Sequence, residues 1–444
     1  MPLDLVRDSA VRILLRVFEH GAYVSVALDR GLRRRQVSER GRRFLTQLVY
    51  GTVRNARLCD HVLAGLLRQP LAELPAPIRV ILRMGVYQAL FLRQVTFPAM
   101  VHTSVDLAAK HGHAGTARLV NAVLRRVPER LEDVVLPDGP PAARLSVRYS
   151  MPEWLVEMLR AEVDGDLARL ETLCALLAEE APVTLRANRL RITREALCEG
   201  LESTGYLAAP RTAVPDEVTV VDGRPPVRSK LFLNGACMLQ DPAAMLAARL
   251  VEPQPDERVL DLCSAPGGKT THLSELADGK ATIIAVDAHA HKLRLVQENV
   301  ERLGAPGVAI ACADGRIPPF RAQTFDRVLV DAPCSGLGTI RRRPEVKERI
   351  RPERLPEFAE KQVELLRSAV QLCKIGGAII YAVCTFTPQE TTGVMQVITD
   401  SEPVALEDGP PWMDQWKIGT GQYKTLAERD GLDGFYLMRL RKRS

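Results

Sequence analysis

The feature that most constrains the fold is a repeated alternation of short apolar segments and helical stretches, which begins near Gly235. A short apolar run bounded by turn residues is typical of a buried strand. Strands that alternate with helices pair in parallel, and the helices cover both faces of the sheet. The C-terminal part of the chain is therefore predicted to be a doubly wound α/β sheet. Its predicted strands are Val259–Leu262, Thr282–Val286, Val308–Ala311, Arg327–Val330 and Ala378–Tyr381.

A carboxylate ends or follows each of the first four of these strands. In an open α/β sheet, ligands bind beyond the carboxyl ends of the strands, and an acid there can bind the hydroxyls of a ribose. Asp287 has that position, and an acid at each of four successive strand ends exceeds what helix capping predicts. We therefore expect a cofactor that contains a nucleoside. The four acids are Asp261, Asp287, Asp314 and Asp331.

Two adjacent glycines, Gly267 and Gly268, separate the first predicted strand from the next helix. Glycines at a helix N-terminus allow the backbone to approach a ligand closely. The spacing matches neither the GxxxxGK[ST] pattern of phosphate-binding loops nor the GxGxxG pattern of dinucleotide-binding loops. The sequence therefore predicts a ligand-binding loop of another class.

Two cysteines follow neighbouring predicted strands: Cys334, in the stretch Val328–Gly336, and Cys384. A lone buried cysteine usually behaves as a small, inert hydrophobic residue. Two thiols at adjacent strand ends, one of them beside Asp331, favour a chemical role instead. From these residues alone, Cys334 is the first candidate for a nucleophile. Packing is predicted as the role of the other cysteines, which are Cys59, Cys174, Cys198, Cys237, Cys263, Cys312 and Cys373.

Further regions precede the sheet, because a chain of 444 residues exceeds what one hydrophobic core usually fills. Apolar residues recur at helical spacing from about residue 4 to about residue 130, which predicts an all-α domain. The proline-rich stretch Pro137–Pro141 predicts a linker, and the residues after it are predicted to form a small α/β unit. The predicted domains are residues 1–135, 145–235 and 236–444.

The chain is mildly basic, with 60 Lys and Arg residues against 54 Asp and Glu residues and a pI of about 8.9. This charge is compatible with a polyanionic partner, but many ordinary enzymes share it. Basic residues cluster in the helical region, where they indicate either a solvated charged face or an RNA-facing surface. The cluster comprises Arg33, Arg34, Arg35, Arg40, Arg42, Arg43, Arg54, Arg125 and Arg126.

The cysteine and histidine patterns bear on location and on metal binding. Nine scattered cysteines without a CxxC spacing indicate a reduced, intracellular protein. The histidine pairs His111/His113 and His289/His291 lack further ligands at metal-binding spacing, so we assign no metal. No apolar run reaches the roughly 18 residues that a membrane span needs, and the N-terminus has no secretory apolar region. We expect a cytoplasmic protein without a membrane partner.

Several motifs give the chain a resemblance to the RNA (cytosine-C5) methyltransferases, closest to the RsmB (Sun/Fmu) type that acts on small-subunit ribosomal RNA. Cys263–Lys269 resembles the family's S-adenosylmethionine motif, Asp331–Gly336 its Pro-Cys motif, and Cys384 its second-cysteine motif. In the helical region, Arg83–Gln88 and Leu119–Arg125 resemble the NusB-type RNA-binding domain of this subfamily. The resemblance covers nearly the whole chain.

This resemblance implies a multidomain protein with an all-α NusB-like N-terminal domain, a small α/β middle domain and a C-terminal Rossmann-like class I methyltransferase domain. It implies S-adenosylmethionine as the cofactor and small-subunit ribosomal RNA as the substrate, and we expect a monomer. The family usually has threonine before its second cysteine, whereas this chain has Val383 and so lacks a hydroxyl there. The implied cofactor-binding residues are Cys263, Ser264, Ala265, Pro266, Gly267, Gly268, Lys269, Asp287, Asp314 and Asp331.

The implied reaction explains why two thiols are needed. C5 of cytosine is too weak a nucleophile to take a methyl group directly from a sulfonium, so a thiolate must first add to C6. The resemblance assigns this addition to Cys384, and it assigns to Cys334 the proton removal that frees the product. It implies that Asp331 hydrogen-bonds the N3/N4 edge of a flipped cytosine and that Lys269 pairs with Asp331. The basic stretch Arg341–Lys347 is expected to hold RNA phosphates.

A second class of function stays open at this point. The chain could be an RNA-binding assembly or antitermination factor, in which the NusB-like helices carry the function and Val383 marks lost catalysis. The presence of Cys334, Cys384, Asp331 and the glycine loop argues for the enzyme.

Overall fold

The N-terminal part of the protein is helical, as its apolar spacing predicts. The computed structural model describes residues 4–33, 38–210, 214–221 and 223–444. The helices of this part are α1 Leu5–Phe18, α2 Val24–Arg33, α3 Glu39–Arg54, α4 Ala56–Ala64, α5 Ala76–Phe91, α6 Phe97–His111, α7 Ala114–Leu124, α8 Pro141–Arg148, α9 Glu153–Glu162 and α10 Leu167–Ala178. Pro77 lies in the first turn of α5, where a missing N–H breaks no helical hydrogen bond. Ile78, Ile81 and Met84 of α5 are buried in the core of this part.

A small antiparallel sheet follows these helices. Its elements are β1 Val183–Ala187, α11 Arg194–Glu202, β2 Ala208–Pro210, β3 Glu217–Val220, α12 Lys230–Leu233 and β4 Cys237–Leu239. The strand order is β2-β3-β1-β4. Leu197 and Leu201 of α11 lie in one buried cluster with Leu185 of β1 and Val218 of β3. The small α/β unit predicted for this part of the chain is confirmed.

The remaining residues alternate strands and helices, as predicted. The elements are α13 Pro242–Val251, β5 Arg258–Asp261, α14 Gly268–Leu276, β6 Thr282–Asp287, α15 Ala290–Leu303, β7 Val308–Cys312, β8 Phe325–Asp331, α16 Val346–Arg349, α17 Leu355–Leu372, β9 Cys373–Val383, α18 Thr392–Ser401, β10 Val404–Leu406, β11 Lys417–Gly419, β12 Gln422–Thr425, α19 Ala427–Asp430 and β13 Phe435–Lys442. Within the described residues these strands form one sheet in the order β11-β12-β13-β9-β8-β5-β6-β7, with β10 paired to β13. Strands β5 to β9 pair in parallel, whereas β13 lies antiparallel beside β9.

Both faces of this sheet are buried, which explains why its strands read as continuous apolar runs. Leu329 of β8 and Ile380 of β9 lie in one cluster with residues of α13. Val328, Val330 and Ile379, which alternate with them along the strands, lie in a second cluster with residues of α17. The sheet is therefore the middle layer between helices, as in other doubly wound folds.

The strand order places β5 beside β8, at the point where the winding of the chain reverses. From β5 the chain proceeds outward through β6 to β7, and then β8 pairs with the other edge of β5. Ligands bind in the crevice outside the strand ends at such a switch point. Asp261 ends β5 and Asp331 ends β8, so this crevice is the candidate site.

The chain divides into two compact units. One contains the residues up to Glu180 together with the segment Ile340–Ile350, and the other contains the rest. The segment Ile340–Ile350 thus belongs with the N-terminal helices, although it follows β8 in the chain. Within this unit Arg57 donates two hydrogen bonds to Glu348, of 2.7 and 3.0 Å. The division does not fall at the proline-rich stretch, and the three predicted domain boundaries stay predictions.

The expected role of Arg341–Lys347 in holding phosphates is wrong for two of its residues. Lys347 is inaccessible, and its Nζ donates to the backbone O of Arg54 over 2.7 Å. Arg341 is also buried, and its own backbone O accepts a hydrogen bond from Arg54 Nη2. Arg343 is exposed and stays a candidate for an RNA contact.

None of the described helices has the length and apolar content needed to cross a membrane.

Burial lowers the pKa of Lys347 to about 7, which makes the stability of the protein depend on pH. An unfolded lysine keeps its proton up to its ordinary value of 10.5, so the unfolded state binds more protons than the native state between these two values. Stability should therefore rise with pH across that window and be reduced below it.

We expect Lys347→Met to remove this dependence. The free energy of unfolding of the variant minus that of the original protein should be larger at pH 6 than at pH 10. The change should be on the order of a few kcal/mol. Chemical denaturation at both pH values measures the difference. Lys374→Met, at a half-buried lysine, is the control, and identical pH dependence in the Lys347 variant and the original protein would contradict the expectation.

Candidate active site

Two thiols lie in contact at the carboxyl ends of β8 and β9. Asp331 at the end of β8 pairs with Ala382 of β9, so the residues that follow the two strands emerge side by side. Cys334 Sγ is 3.3 Å from Cys384 Sγ, and both side chains are partly exposed. The prediction that two cysteines at neighbouring strand ends share one crevice is confirmed by this geometry.

Backbone hydrogen bonds hold the two cysteine loops together beyond the sheet. The ladder continues from Ala332 N to the backbone O of Ala382 over 3.0 Å, and Gly338 N donates to the backbone O of Cys384 over 3.0 Å. Gly338 also accepts a hydrogen bond from Gly434 N, and a Cβ atom at position 338 would lie 1.8 Å from Gly434 O. Only glycine allows this approach, so the loop after β8 depends on Gly338.

The two thiols interact electrostatically. The hydrogen bond with Cys384, together with burial, raises the pKa of the Cys334 thiol well above its ordinary value. The negative charges of Cys384 and of Glu390 add to this effect. Cys334 therefore holds its proton more tightly than a free cysteine does, and once deprotonated it is a strong base.

An ion pair lies next to the thiols. Lys269, in the first turn of α14, donates to Asp331 Oδ2 over 2.6 Å, and its Nζ lies 5.7 Å from the centre of the Phe435 ring. Burial lowers the pKa of Lys269, but the charge and hydrogen bond of Asp331, together with the charges of Cys384 and Asp261, raise it overall. Lys269 therefore stays protonated and fixes the orientation of the Asp331 carboxylate. The pairing predicted for Lys269 and Asp331 is present.

The loop between β5 and α14 carries polar groups that are not satisfied within the protein. Thr270 donates to Asp261 Oδ2 over 2.7 Å, and burial raises the pKa of Asp261 to about 7. Asp261 Oδ1 and Ser264 Oγ are buried and have no hydrogen-bond partner among the described residues. Buried polar atoms without partners are rare. Together with the helix N-terminus at Gly268, they fit a polar ligand such as S-adenosylmethionine at this loop.

One of the two glycines of this loop is required for a reason that the sequence did not reveal. Gly267 has a positive φ of 98°, and a Cβ atom there would lie 3.0 Å from Val296 Cα in α15. A Cβ atom at Gly268 would lie 3.4 Å from Met238 Cε, which is an ordinary contact with the end of a flexible side chain. Gly267 therefore allows the loop to pack against α15, whereas packing within the protein does not require glycine at position 268.

Two further acids lie at the ends of neighbouring strands. Asp287 ends β6, and its Oδ1 accepts a hydrogen bond of 2.9 Å from His289 N. Asp314 follows β7, and its Oδ2 accepts a hydrogen bond of 2.7 Å from Arg316, which also reaches Glu364. Hydrogen bonds from Arg316 lower the pKa of Asp314, so this carboxylate stays charged. The strand order brings both acids to the same sheet edge as the glycine loop.

Other predictions have mixed outcomes. In the basic cluster of the helical region, Arg54 is buried and cannot face RNA. The exposed members are Arg33, Arg40, Arg43, Arg125 and Arg126, and Arg42 is partly exposed. Arg34 and Arg35 lie outside the described residues.

Cys312 is exposed at the end of β7, so the buried packing predicted for it is wrong. The predicted burial holds for Cys59, Cys174, Cys198, Cys237 and Cys373.

The two neighbours of Cys384 in the chain, Val383 and Thr385, have different surroundings. Val383 is fully buried and packs in the same cluster as Tyr436. Thr385 Oγ1 lies 2.9 Å from Ser335 Oγ, so the hydroxyl next to Cys384 that takes part in hydrogen bonding is on its C-terminal side.

Sequence reasoning missed a buried arginine behind the cofactor loop. Arg186 of β1 is fully buried, pairs with Glu275 of α14 at 2.6 Å, and also donates to Thr271 Oγ1 and to the backbone O of Gly268. It therefore anchors the first turns of α14. These three partners are 82 to 89 residues away in the chain, so no local pattern could have indicated this role.

No group of three or more His, Cys, Asp or Glu side chains in the described part of the chain is arranged to hold a metal ion.

The fold is a Rossmann-like sheet with a ligand-binding loop after its first strand, and a helical domain precedes it in the chain. Comparison with known proteins identifies this architecture as a methyltransferase with an appended NusB-like domain. Residues 248–441 match the model of the 16S rRNA methyltransferase RsmB/F, residues 5–129 match the NusB family, and residues 151–227 match the ferredoxin-like domain of RsmF/B-like methyltransferases. The chain belongs to the RsmB/F family of ribosomal RNA small-subunit methyltransferases, which confirms S-adenosylmethionine as its cofactor.

Individual relatives agree with this assignment. The chain is 33% identical to the probable ribosomal RNA small subunit methyltransferase B of Bacillus subtilis, with 99% of each chain covered. It is 36% identical to the ribosomal RNA small subunit methyltransferase B of Thermus thermophilus, with 98% of this chain and 97% of the relative covered. The solved structure of PH0851 matches with a TM-score of 0.85 at 25% identity over both whole chains. NSun6 from Pyrococcus horikoshii with SFG shares the fold, with a TM-score of 0.60 at 22% identity over 66% of this chain and 98% of that one.

The raised pKa of Cys334 predicts the pH dependence of its alkylation. We expect the midpoint for reaction of Cys334 with iodoacetamide to lie above its ordinary value of 9.0, because the thiolate forms only at higher pH. In Cys384→Ala the midpoint should fall, since the hydrogen bond and the neighbouring charge are gone. Peptide mapping by mass spectrometry measures each site separately, with exposed Cys312 as the internal reference for the reagent. Equal midpoints in the two proteins would contradict the electrostatic coupling.

Proposed function

We propose that the protein methylates C5 of a specific cytosine in 16S ribosomal RNA through a covalent bond between Cys384 and C6 of the base. The observation that carries this proposal is the pair of thiols, 3.3 Å apart, beside the Asp331–Lys269 ion pair at the switch point of the sheet. Family membership supplies the coarser statement that the substrate is small-subunit ribosomal RNA. Because that substrate is ribosomal, we also expect the protein to act in the cytoplasm.

The roles of the two thiols follow from the chemistry of cytosine. Addition of the Cys384 thiolate to C6 forms a C6–S bond and makes C5 nucleophilic. S-adenosylmethionine supplies the methyl group that C5 receives. The Cys334 thiolate then takes the proton from C5, the electron pair of that C–H bond forms the C5=C6 double bond, and Cys384 leaves as a thiolate. In the covalent adduct the Cys384 sulfur carries neither the negative charge nor the hydrogen bond that raises the pKa of Cys334 in the free protein, so Cys334 can lose its own proton to solvent before it acts as this base.

Asp331 is proposed to bind the N3/N4 edge of the cytosine. Its carboxylate can accept a hydrogen bond from the N4 amino group, and from N3 once that atom is protonated, which stabilises the ring as attack at C6 pushes electron density towards N3. Lys269 holds the carboxylate in position from the side of the cofactor loop. The base must leave its stack to reach Cys384, so the target cytosine is expected in an unpaired or opened loop.

The cofactor is proposed to bind along the ends of β5, β6 and β7. The loop Cys263–Lys269 would hold its methionine part, Asp287 its ribose and Asp314 its adenine. The unpartnered Asp261 Oδ1 and the helix N-terminus at Gly268 support a polar ligand in this position. Of the basic cluster, the exposed arginines of the helical domain, such as Arg125 and Arg126, are proposed to contact RNA phosphates.

The two cysteines should give opposite results in a methyl-transfer assay. With labelled S-adenosylmethionine and unmodified 16S ribosomal RNA, Cys384→Ala should incorporate no methyl group and form no covalent protein–RNA adduct. Cys334→Ala should accumulate the adduct, because the C5 proton is not removed. Denaturing gels detect the adduct, and mapping of methylcytosine locates the product. An adduct that survives in Cys384→Ala would overturn the assignment of the nucleophile.

Asp331→Asn should slow methylation on the order of 100-fold, because the developing charge on the base loses its stabilising carboxylate. The matched control is Asp326→Asn on the same strand, since Asp326 also pairs with a lysine, Lys374, at 2.6 Å but lies at the opposite end of β8. Single-turnover rates with both variants measure the effect. Equal losses in the two variants would show that general destabilisation, and not the position of Asp331, is responsible.

A further inference from the structure

A buried glutamate joins the two cysteine loops. Glu390 lies in the short 3₁₀ turn Pro388–Glu390 after Cys384 and is fully inaccessible to solvent. Its Oε1 accepts a hydrogen bond of 2.8 Å from Ser335 N, the residue that follows Cys334. Its Oε2 accepts a hydrogen bond of 2.9 Å from Thr387 Oγ1.

Gln362 of α17 completes the support on the other side of Cys334. Its Nε2 donates to the backbone O of Pro333 over 3.1 Å and to Glu390 Oε1 over 3.0 Å. The hydroxyl of Tyr381 in β9 lies 2.9 Å from Gln362 Oε1 and 2.7 Å from the backbone O of Glu390. The residues immediately before and after Cys334 are thus both bound to one buried polar pair.

Cys384 is held differently. It directly follows β9, whose pairing with β13 extends to Val383 opposite Tyr436. Loss of Glu390 would remove the acceptor of Ser335 N and a partner of Gln362, while the strand pairing before Cys384 and the backbone hydrogen bonds of Ala332 and Gly338 stayed intact. The short segment around Cys334 would then lose its side-chain support, and with it the fixed distance between the two thiols.

We infer that Glu390 is a positioning residue for product release: it fixes Cys334 at the distance from Cys384 at which Cys334 can remove the C5 proton. This inference rests on the proposed function, because it assumes that Cys334 acts in release. It assigns Glu390 no contact with the RNA base. A displacement of about 1 Å at a reacting group can cost on the order of 100-fold in rate, so loss of this buried support should slow turnover.

The test uses the full-length protein, labelled S-adenosylmethionine and unmodified 16S ribosomal RNA. In Glu390→Ala we expect turnover to fall on the order of 100-fold and the covalent protein–RNA adduct to accumulate, as in Cys334→Ala. A purely structural role would reduce adduct and product together. Accumulation of adduct at reduced turnover is therefore the diagnostic result, and reduced turnover without adduct would overturn the inference.

Glu390→Gln is the conservative variant. Its amide oxygen can accept the hydrogen bonds from Ser335 N and Gln362, and its amide group can donate to a reoriented Thr387 hydroxyl. We therefore expect turnover within a few-fold of the original protein and no trapped adduct. If Glu390→Gln traps as much adduct as Glu390→Ala, the hydrogen bonds at Oε1 do not carry the role and the inference fails.

Thr391→Ala is the matched control, because Thr391 is a buried polar neighbour whose Oγ1 donates to the backbone O of Thr387 over 2.8 Å and, among the described residues, makes no hydrogen bond to the Cys334 loop. The Thr391→Ala variant should release product normally even if its melting temperature is lower. Adduct trapped by this variant would count against a specific role for Glu390.

If Glu390→Ala does not fold, Gln362→Ala decides in its place. Trapped adduct in Gln362→Ala supports the inference, and absence of adduct overturns the inference. Failure of the proposed function itself is recognised separately, because the original protein would then produce no methylcytosine and Cys334→Ala no adduct.

Discussion

The parallel pairing of β8 with β9 is the constraint on which the site depends. Opposition of Asp331 and Ala382 in this register brings the residues after both strands to the same sheet edge. Cys334 lies three residues after Asp331 and Cys384 lies two residues after Ala382, so the two sulfur atoms can approach to 3.3 Å. Pairing of β5 with β8 then places Lys269 of the following helix within 2.6 Å of Asp331. A shift of either register by one residue would reverse the faces of the side chains and separate these groups.

Buried polar residues complete what the sheet begins. Loops beyond strand ends lack ladder hydrogen bonds, so their shape has to be fixed by other contacts. Arg186 supports the cofactor loop through Gly268, and Glu390 supports the thiol loop through Ser335. A buried polar group that loses its partner costs free energy. These contacts therefore favour one loop conformation over others, and chemistry that needs a fixed distance between two thiols can rely on them.

Fold class and the main site residues were open to prediction because their signals are local. Apolar runs mark the strands, and an acid or a thiol directly after a run must lie at the sheet edge, as Asp331 and Cys384 do. The exposure of basic residues could not be predicted in the same way. Lys347 and Arg54 belong to basic stretches that read as charged surface, yet both are buried because Ile340–Ile350 packs with the N-terminal helices. No local pattern shows that a segment of one part of the chain will be covered by another.

The sequence by itself determined the alternation of strands and helices, the acids and thiols at the strand ends, and the motifs that resemble those of the family, because each depends on residues adjacent in the chain. Only the tertiary structure decided the order of the strands, the contact between Cys334 and Cys384, and the supports provided by Arg186 and Glu390. The physical reason is that these features are set by packing and hydrogen bonds between segments tens of residues apart. Glu390, for example, lies 55 residues from Ser335, to which it is bound at 2.8 Å.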